Sequence, residues 1–127
     1  MTLLYIDDDA EDIEFFCDAI KNIHPTYLCL VAQNAKDGLH ILETLIPDVI
    51  FLDINMPVMN GKEALRAIRS RKNLASVPVC MLSTTTNSNE INMCRELGAN
   101  ECFVKPNSFA ELCTTLKSFF QMNFLLM

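Results

Sequence analysis

The chain should fold as an α/β protein, a doubly wound five-stranded parallel sheet with helices on both faces. Three features lead there. Short apolar runs alternate five times with longer segments of helical period along 127 residues. The runs are nearly continuous in Val, Ile, Leu and Phe instead of alternating with polar residues, as burial on both faces demands. Between successive runs there is enough chain for a right-handed helical crossover. A chain of this size makes one packed domain, residues 1–127.

Residues 3–6 form the first strand. Ile13, Phe16, Cys17, Ile20 and Ile23 then fall on one helical face, and Pro25 stops the helix. Residues 27–32 form the second strand. Residues 35–46 form a helix with Leu39, Leu42 and Ile46 inward, ended by Pro47. The third strand lies within residues 48–53. Asn60, with Glu63 three residues on, opens a third helix that turns Leu65 and Ile68 inward. Residues 77–82 form the fourth strand. Ile91, Cys94 and Leu97 mark the next helix, which Gly98 caps. Residues 102–104 form a short fifth strand. Ser108-Phe109-Ala110-Glu111 opens the last helix, with Leu112, Leu116 and Phe119 inward.

Composition narrows the function. Half the residues are apolar and a fifth charged, as in a soluble globular protein, and the net charge of −6 opposes non-specific binding to nucleic acid or anionic membrane. No apolar run approaches a membrane span, and the start, MTLLYIDDD, carries no basic leader, so a cytoplasmic location is expected. Six cysteines (Cys17, Cys29, Cys80, Cys94, Cys102, Cys113) include no C-x-x-C pair. They read as small hydrophobes, with zinc or a disulfide the alternative. His24 and His40 are expected at the surface, and Arg66, Arg69, Arg71 and Lys72 on a solvated helix face. The ending Phe124-Leu125-Leu126-Met127 is expected to pack on the core, with self-association the alternative.

In an open parallel sheet, ligands bind beyond the carboxyl ends of the strands. The first strand ends in Asp7-Asp8-Asp9, the third in Asp53, the fourth in Ser83-Thr84-Thr85-Thr86 and the fifth in Lys105-Pro106. The second ends in Gln33-Asn34 and takes no part. Crowded carboxylates raise one another's pKa, and one lysine does not offset them all. A divalent cation does. The available ligands are hard oxygens, which suit Mg2+ or Mn2+ and not zinc, and Mg2+ keeps waters that phosphoryl oxygens can replace. Gly38, Gly61 and Gly98 are the only glycines, so neither a P-loop nor a dinucleotide fingerprint can be built. The phosphoryl group must then arrive on a partner or small donor. Asp53, alone at its strand end and opposite Lys105, is the natural acceptor for an acyl phosphate. Taken singly, each of these residues also has a plain reading, with Asp9 as a helix cap and Asp53 as a turn residue.

Together these stretches resemble the receiver domains of two-component response regulators. LLYIDDD looks like the family's acidic strand end, VIFLDINMPVMNG its phosphorylation strand and loop, PVCMLST its fourth strand and GANECFVKP its fifth. The resemblance implies a flavodoxin-like three-layer sandwich of strand order 2-1-3-4-5. It assigns Asp53 as phosphoacceptor, Asp8 as a direct Mg2+ ligand, Asp7 as a ligand through water and Asn55 as a ligand through its backbone carbonyl. Ser83 matches the hydroxyl that closes on the phosphoryl group, Lys105 the lysine that pairs with it, and Lys105–Pro106 would be cis. It implies transfer from a phosphohistidine on a sensor histidine kinase or phosphotransfer protein, and a shift of the face formed by the fourth helix, fifth strand and fifth helix. Two positions depart from the pattern. Cys102 replaces the switch aromatic, with Phe103 one place along and so on the opposite sheet face. Thr84 stands where a smaller residue is usual, which narrows access to the phosphoryl group.

The lead expectation is a stand-alone receiver, monomeric or weakly dimeric, that signals to a downstream protein or relays phosphoryl groups. It is not an enzyme beyond catalysing its own phosphorylation and slow autodephosphorylation. One rival is a magnesium-dependent phosphatase of the haloacid dehalogenase type. That mechanism needs a second acid two residues after the nucleophile, where Asn55 stands. The other is a degenerate receiver used only for binding, against which the acids, acceptor and lysine all speak.

Overall fold

The computed structural model describes residues 1–84 and 87–124. The strands are β1 (Thr2–Ile6), β2 (Leu28–Ala32), β3 (Val49–Asp53), β4 (Val79–Ser83) and β5 (Glu101–Val104). The helices are α1 (Ala10–Ile23), α2 (Ala35–Ile41), α3 (Gly61–Arg69), α4 (Ser88–Glu96) and α5 (Phe109–Phe124), with a short 3-10 turn at Lys72–Leu74. All four strand pairings are parallel, in the order β2-β1-β3-β4-β5. That is the order the resemblance implies.

Strand periodicity sorts the side chains into two cores. Tyr5, Val49, Phe51, Cys80 and Leu82 meet Phe16 and Ile20 of α1 and Leu116, Phe119 and Phe120 of α5. On the other face Ile6, Ile50, Leu52 and Met81 meet Ala64, Leu65 and Ile68 of α3 and Cys94 of α4. Every residue of β3 and β4 is buried, which explains their uninterrupted apolar runs.

The helix starts follow their caps. Asp9 accepts from the backbone N–H of Glu11 at 2.9 Å and Asp12 at 3.2 Å. Asn60 and Glu63 form a reciprocal capping box, and Ser108 Oγ accepts from Glu111 N–H at 3.1 Å. Gly98 follows α4 with φ +110°, the left-handed conformation that favours glycine.

Several local expectations need correction. α2 ends at Ile41, not at residue 46, and Ile46 is exposed. The residue before Pro47 is driven out of the α region, so the chain leaves the helix early and Leu42 alone turns fully inward. β4 begins after Pro78, which has no N–H to give a ladder, so Val77 lies outside it. The described residues contain no cis peptide bond, so Lys105–Pro106 is trans, the intrinsically favoured isomer by about 0.5–1 kcal/mol. His24 is half-buried, stacked on Tyr27 at 4.2 Å, whereas His40 is exposed beside Glu43. Arg69 is no solvated charge. Its guanidinium donates to Gly98 O, Leu74 O and Asn100 Oδ1, each at 3.0 Å, and Arg71 donates to Leu39 O. A fork of fixed donors ties loops that a flexible ammonium would leave free.

All six cysteines are free; Cys80 and Cys94 are buried, and the Cys17 thiol donates to Cys29 Sγ at 3.6 Å with no disulfide between them. No helix among the described residues is long and apolar enough to cross a membrane. The terminal residues 125–127 and the loop residues Thr85 and Thr86 lie outside the described residues.

Candidate functional site

Four strands bring polar residues to one edge of the sheet, and the register fixes who meets whom. Ile6 pairs with Leu52, so Asp7 follows β1 beside Asp53 at the end of β3. Ser83 pairs with Val104, and Lys105 follows β5, its backbone N–H donating to Ser83 O at 2.7 Å. Asp7, Asp53 and Ser83 are the buried polar residues of the described chain, with Asp7 and Ser83 wholly inaccessible. Asp8 and Asn55 are exposed at the mouth. Carboxylate oxygens of Asp7, Asp8 and Asp53 all lie within 4.8 Å of one another. Three hard oxygens this close form a donor set able to hold a divalent metal.

Lys105 sits among the acids. Its Nζ lies 2.9 Å from Asp7 Oδ2, 2.8 Å from Asp12 Oδ2 and 3.2 Å from Asp53 Oδ1. Asp7 is held on both oxygens. Oδ1 accepts from Asp9 N–H at 3.0 Å, and Oδ2 accepts from Lys105 and from the buried Tyr5 hydroxyl.

The electrostatics follow from burial and crowding. Burial first, then the charge of Asp7, push the Asp53 carboxyl up to about 6, with Lys105 offsetting part of the effect. Burial alone would lower the Lys105 ammonium. Its hydrogen bonds to Asp12 and Asp7 and the charge of Asp53 overrule burial and hold it above the ordinary lysine value. Burial and the bond to Asp7 raise the Tyr5 phenol, so it remains a donor.

The loop after β3 turns back into α3, and Gly61 permits it. A Cβ there would stand 2.2 Å from Asp53 O and 2.7 Å from Ile54 Cα. Only glycine lets the start of α3 come this close to the strand that ends in Asp53. At the far side of the pocket, Thr84 is exposed.

The sequence reading missed Tyr5 and Asp12. Tyr5 stands two residues before Asp7 in an apolar run, so its ring reads as core and its hydroxyl goes unnoticed. Asp12 falls in the first turn of α1, where an acid is explained by the helix dipole alone. Nothing local places it against a lysine 93 positions away.

Residues 3–117 match the model of the response regulator receiver domain. The chain belongs to that family. It is a receiver phosphoacceptor domain of two-component signalling, with an acidic pocket built by Asp7, Asp8, Asp53 and Lys105. That match decides against the phosphatase. Among curated relatives, the protein-glutamate methylesterase/protein-glutamine glutaminase of Bacillus licheniformis is 37% identical over 107 residues, which are 83% of this chain and 29% of that protein. The chain therefore spans less than a third of that relative's length. Among solved structures, chemotaxis response regulator CheY4 of Vibrio cholerae is 27% identical with a TM-score of 0.82, covering 92% of this chain and 96% of that one. The phosphorylated cyanobacterial phytochrome response regulator RcpA shares the fold, with a TM-score of 0.87 at 24% identity over 95% of this chain and 91% of that one.

One departure from the receiver pattern has a structural counterpart. Cys102 packs against the core beneath α2, α3 and α4, whereas Phe103 packs on the opposite core, 5.8 Å from Phe119 between ring centroids. No aromatic side chain of β5 therefore lies on the α4 side of the sheet.

Proposed function

We propose that Asp53 accepts a phosphoryl group from a phosphohistidine on a sensor histidine kinase or phosphotransfer protein. One observation carries this reading. Asp53 ends β3 in the cluster with Asp7 and Asp8, 3.2 Å from Lys105 Nζ, while the other buried carboxylate there, Asp7, is held on both oxygens by Asp9 N–H, Lys105 and the Tyr5 hydroxyl. A carboxylate Oδ attacks phosphorus in line, the phosphorus–nitrogen bond breaks, and the imidazole departs with its electron pair. Lys105 turns a proton toward a phosphoryl oxygen, and the Ser83 hydroxyl donates to another. Asp8 directly, Asp7 through water, Asp53 and the Asn55 backbone carbonyl would hold Mg2+, or Mn2+ in its place. Bound there, the ion supplies Lewis-acid neutralisation of charge on the phosphoryl oxygens.

The domain, residues 1–127, works in the cytoplasm as a receiver, monomeric or weakly dimeric, with no nucleic-acid or membrane partner. Its output goes through α4, β5 and α5 to a downstream protein, or the phosphoryl group is passed on. It acts as an enzyme only on itself, in phosphorylation and slow autodephosphorylation. Cys102 in place of an aromatic makes the link from Ser83 to the output face differently built.

Incubation with acetyl phosphate and Mg2+, followed by intact mass measurement, tests this. The wild type gains one phosphate and Asp53→Asn gains none. Labelling of Asp53→Asn, or none in the wild type, overturns the reading.

A further inference from the structure

An ammonium has three N–H donors, and those of Lys105 face three carboxylates from three parts of the fold. Asp7 follows β1, Asp53 ends β3, and Asp12 reaches in from the first turn of α1 at 2.8 Å, the shortest of the three contacts. Asp12 differs from the other two. Asp7 and Asp53 belong to the cluster able to hold a metal, and Asp12 does not. Its side chain is 40% exposed, against none for Asp7. Its own position is fixed, since its backbone N–H donates to the Asp9 cap.

We propose that Asp12 is the positioning residue of Lys105, holding the ammonium in place at rest and releasing it when a phosphoryl oxygen arrives. The proposal rests on Asp53 being the acceptor. A lysine stem is flexible, and freezing it costs side-chain entropy unless contacts fix it beforehand. Three carboxylates fix it. A phosphoryl group on Asp53 replaces the contact to that carboxylate, and as its oxygen draws the ammonium outward one of the two remaining contacts, to Asp7 or to Asp12, is loosened. Giving up Asp7 would strip a buried carboxylate of a partner that water cannot replace. Giving up Asp12 leaves a half-exposed carboxylate to the solvent. The exchange therefore runs through Asp12.

The plainer alternative is that Asp12 only complements the α1 dipole. Glu11 supplies the comparison, being an exposed acid on the same first turn. Four chains decide: wild type, Asp12→Ala, Asp12→Asn and Glu11→Ala, each checked for folding by circular dichroism. The first readout needs no phosphorylation. In heteronuclear spectra of the lysine side chains, the wild type shows a slowly exchanging Lys105 ammonium, assigned by its loss in Lys105→Arg. Asp12→Ala loses that signal, while Asp12→Asn, which keeps an acceptor oxygen, and Glu11→Ala retain it. The second readout is the rate of phosphorylation by acetyl phosphate at saturating Mg2+. It falls on the order of 10-fold in Asp12→Ala, as expected when a reacting group is misplaced, and Asp12→Asn recovers most of the loss. An unchanged ammonium signal in Asp12→Ala overturns the proposal, as does equal slowing by Glu11→Ala or no recovery in Asp12→Asn. A wild type that takes no phosphate defeats the functional reading instead, and the ammonium spectra still decide where Asp12 holds Lys105.

Discussion

The two faces of the sheet are built from different materials. The face under α1 and α5 is aromatic: Tyr5, Phe16, Phe51, Phe119 and Phe120 form a chain of ring contacts with centroids 4.2–6.1 Å apart. The face under α2, α3 and α4 is aliphatic, and α4 buries only the small Cys94. The alternation of β3 places Asp53 in the row of Phe51, and the alternation of β4 places Ser83 in the row of Met81. Asp53 thus grows out of the aromatic face and Ser83 out of the aliphatic one. Large, interlocked rings hold position, whereas small side chains leave α4 lightly fastened. Such a division suits a domain that must keep its chemistry fixed while another surface changes.

Packing offers the strongest way to break this contrast. Phe51→Ala removes a wholly buried ring between α1 and α5 and should cost about 3–5 kcal/mol, read as a lower urea midpoint. Cys94→Ala, on the other face, should cost only about 1 kcal/mol. Equal losses would mean that the two faces are equally firm.

A smaller effect comes from Asp53 itself. Its carboxyl is raised from 3.8 to about 6 in the metal-free fold. Between those values the folded protein holds a proton that the unfolded chain has released, so stability falls as pH rises through that window. Above it, ionised Asp53 is a standing cost. One pH unit of displacement is worth about 1.4 kcal/mol, and screening at the open mouth reduces the total. Asp53→Asn in EDTA at pH 8 should therefore be more stable by about 1–2 kcal/mol, and its advantage should vanish below pH 4. An advantage that persists unchanged at low pH would mean that charge is not the cause.

The smallest effect concerns the looser side. If Thr84 narrows access to the phosphoryl group, Thr84→Ala should shorten the acyl-phosphate half-life about threefold, roughly 0.7 kcal/mol of barrier. A half-life equal or longer in the variant refutes that role.

The strands and their polar ends could be read directly from the sequence, because double burial leaves an uninterrupted apolar run that a charged residue visibly terminates. Asp53, Asp7, Asp8 and Lys105 stood out for that reason. The caps Asp9, Asn60 and Ser108 were equally plain, each opening a local pattern of three or four residues, whereas Asn34, which caps α2, read only as a strand end. Contacts closed by tertiary structure were hidden. Arg69 reads as a surface charge until Gly98 and Asn100 are folded against it, and Asp12 reads as a helix-start acid until Lys105 arrives from the far end of the chain. The early end of α2 was hidden for another reason, since the apolar period runs on toward Ile46 while Pro47 forbids the backbone to follow.

The ring and the hydroxyl of Tyr5 face different worlds, one packed on Phe16 and the other bound to Asp7. The chain has no tryptophan and only two tyrosines. Near-ultraviolet absorbance and emission thus come from very few chromophores, and one of them touches the pocket. Anything that alters the grip on Asp7 perturbs the electronic spectrum of that phenol, with Tyr27 as the background against which the change is measured. Occupancy can therefore be followed optically in the unlabelled protein.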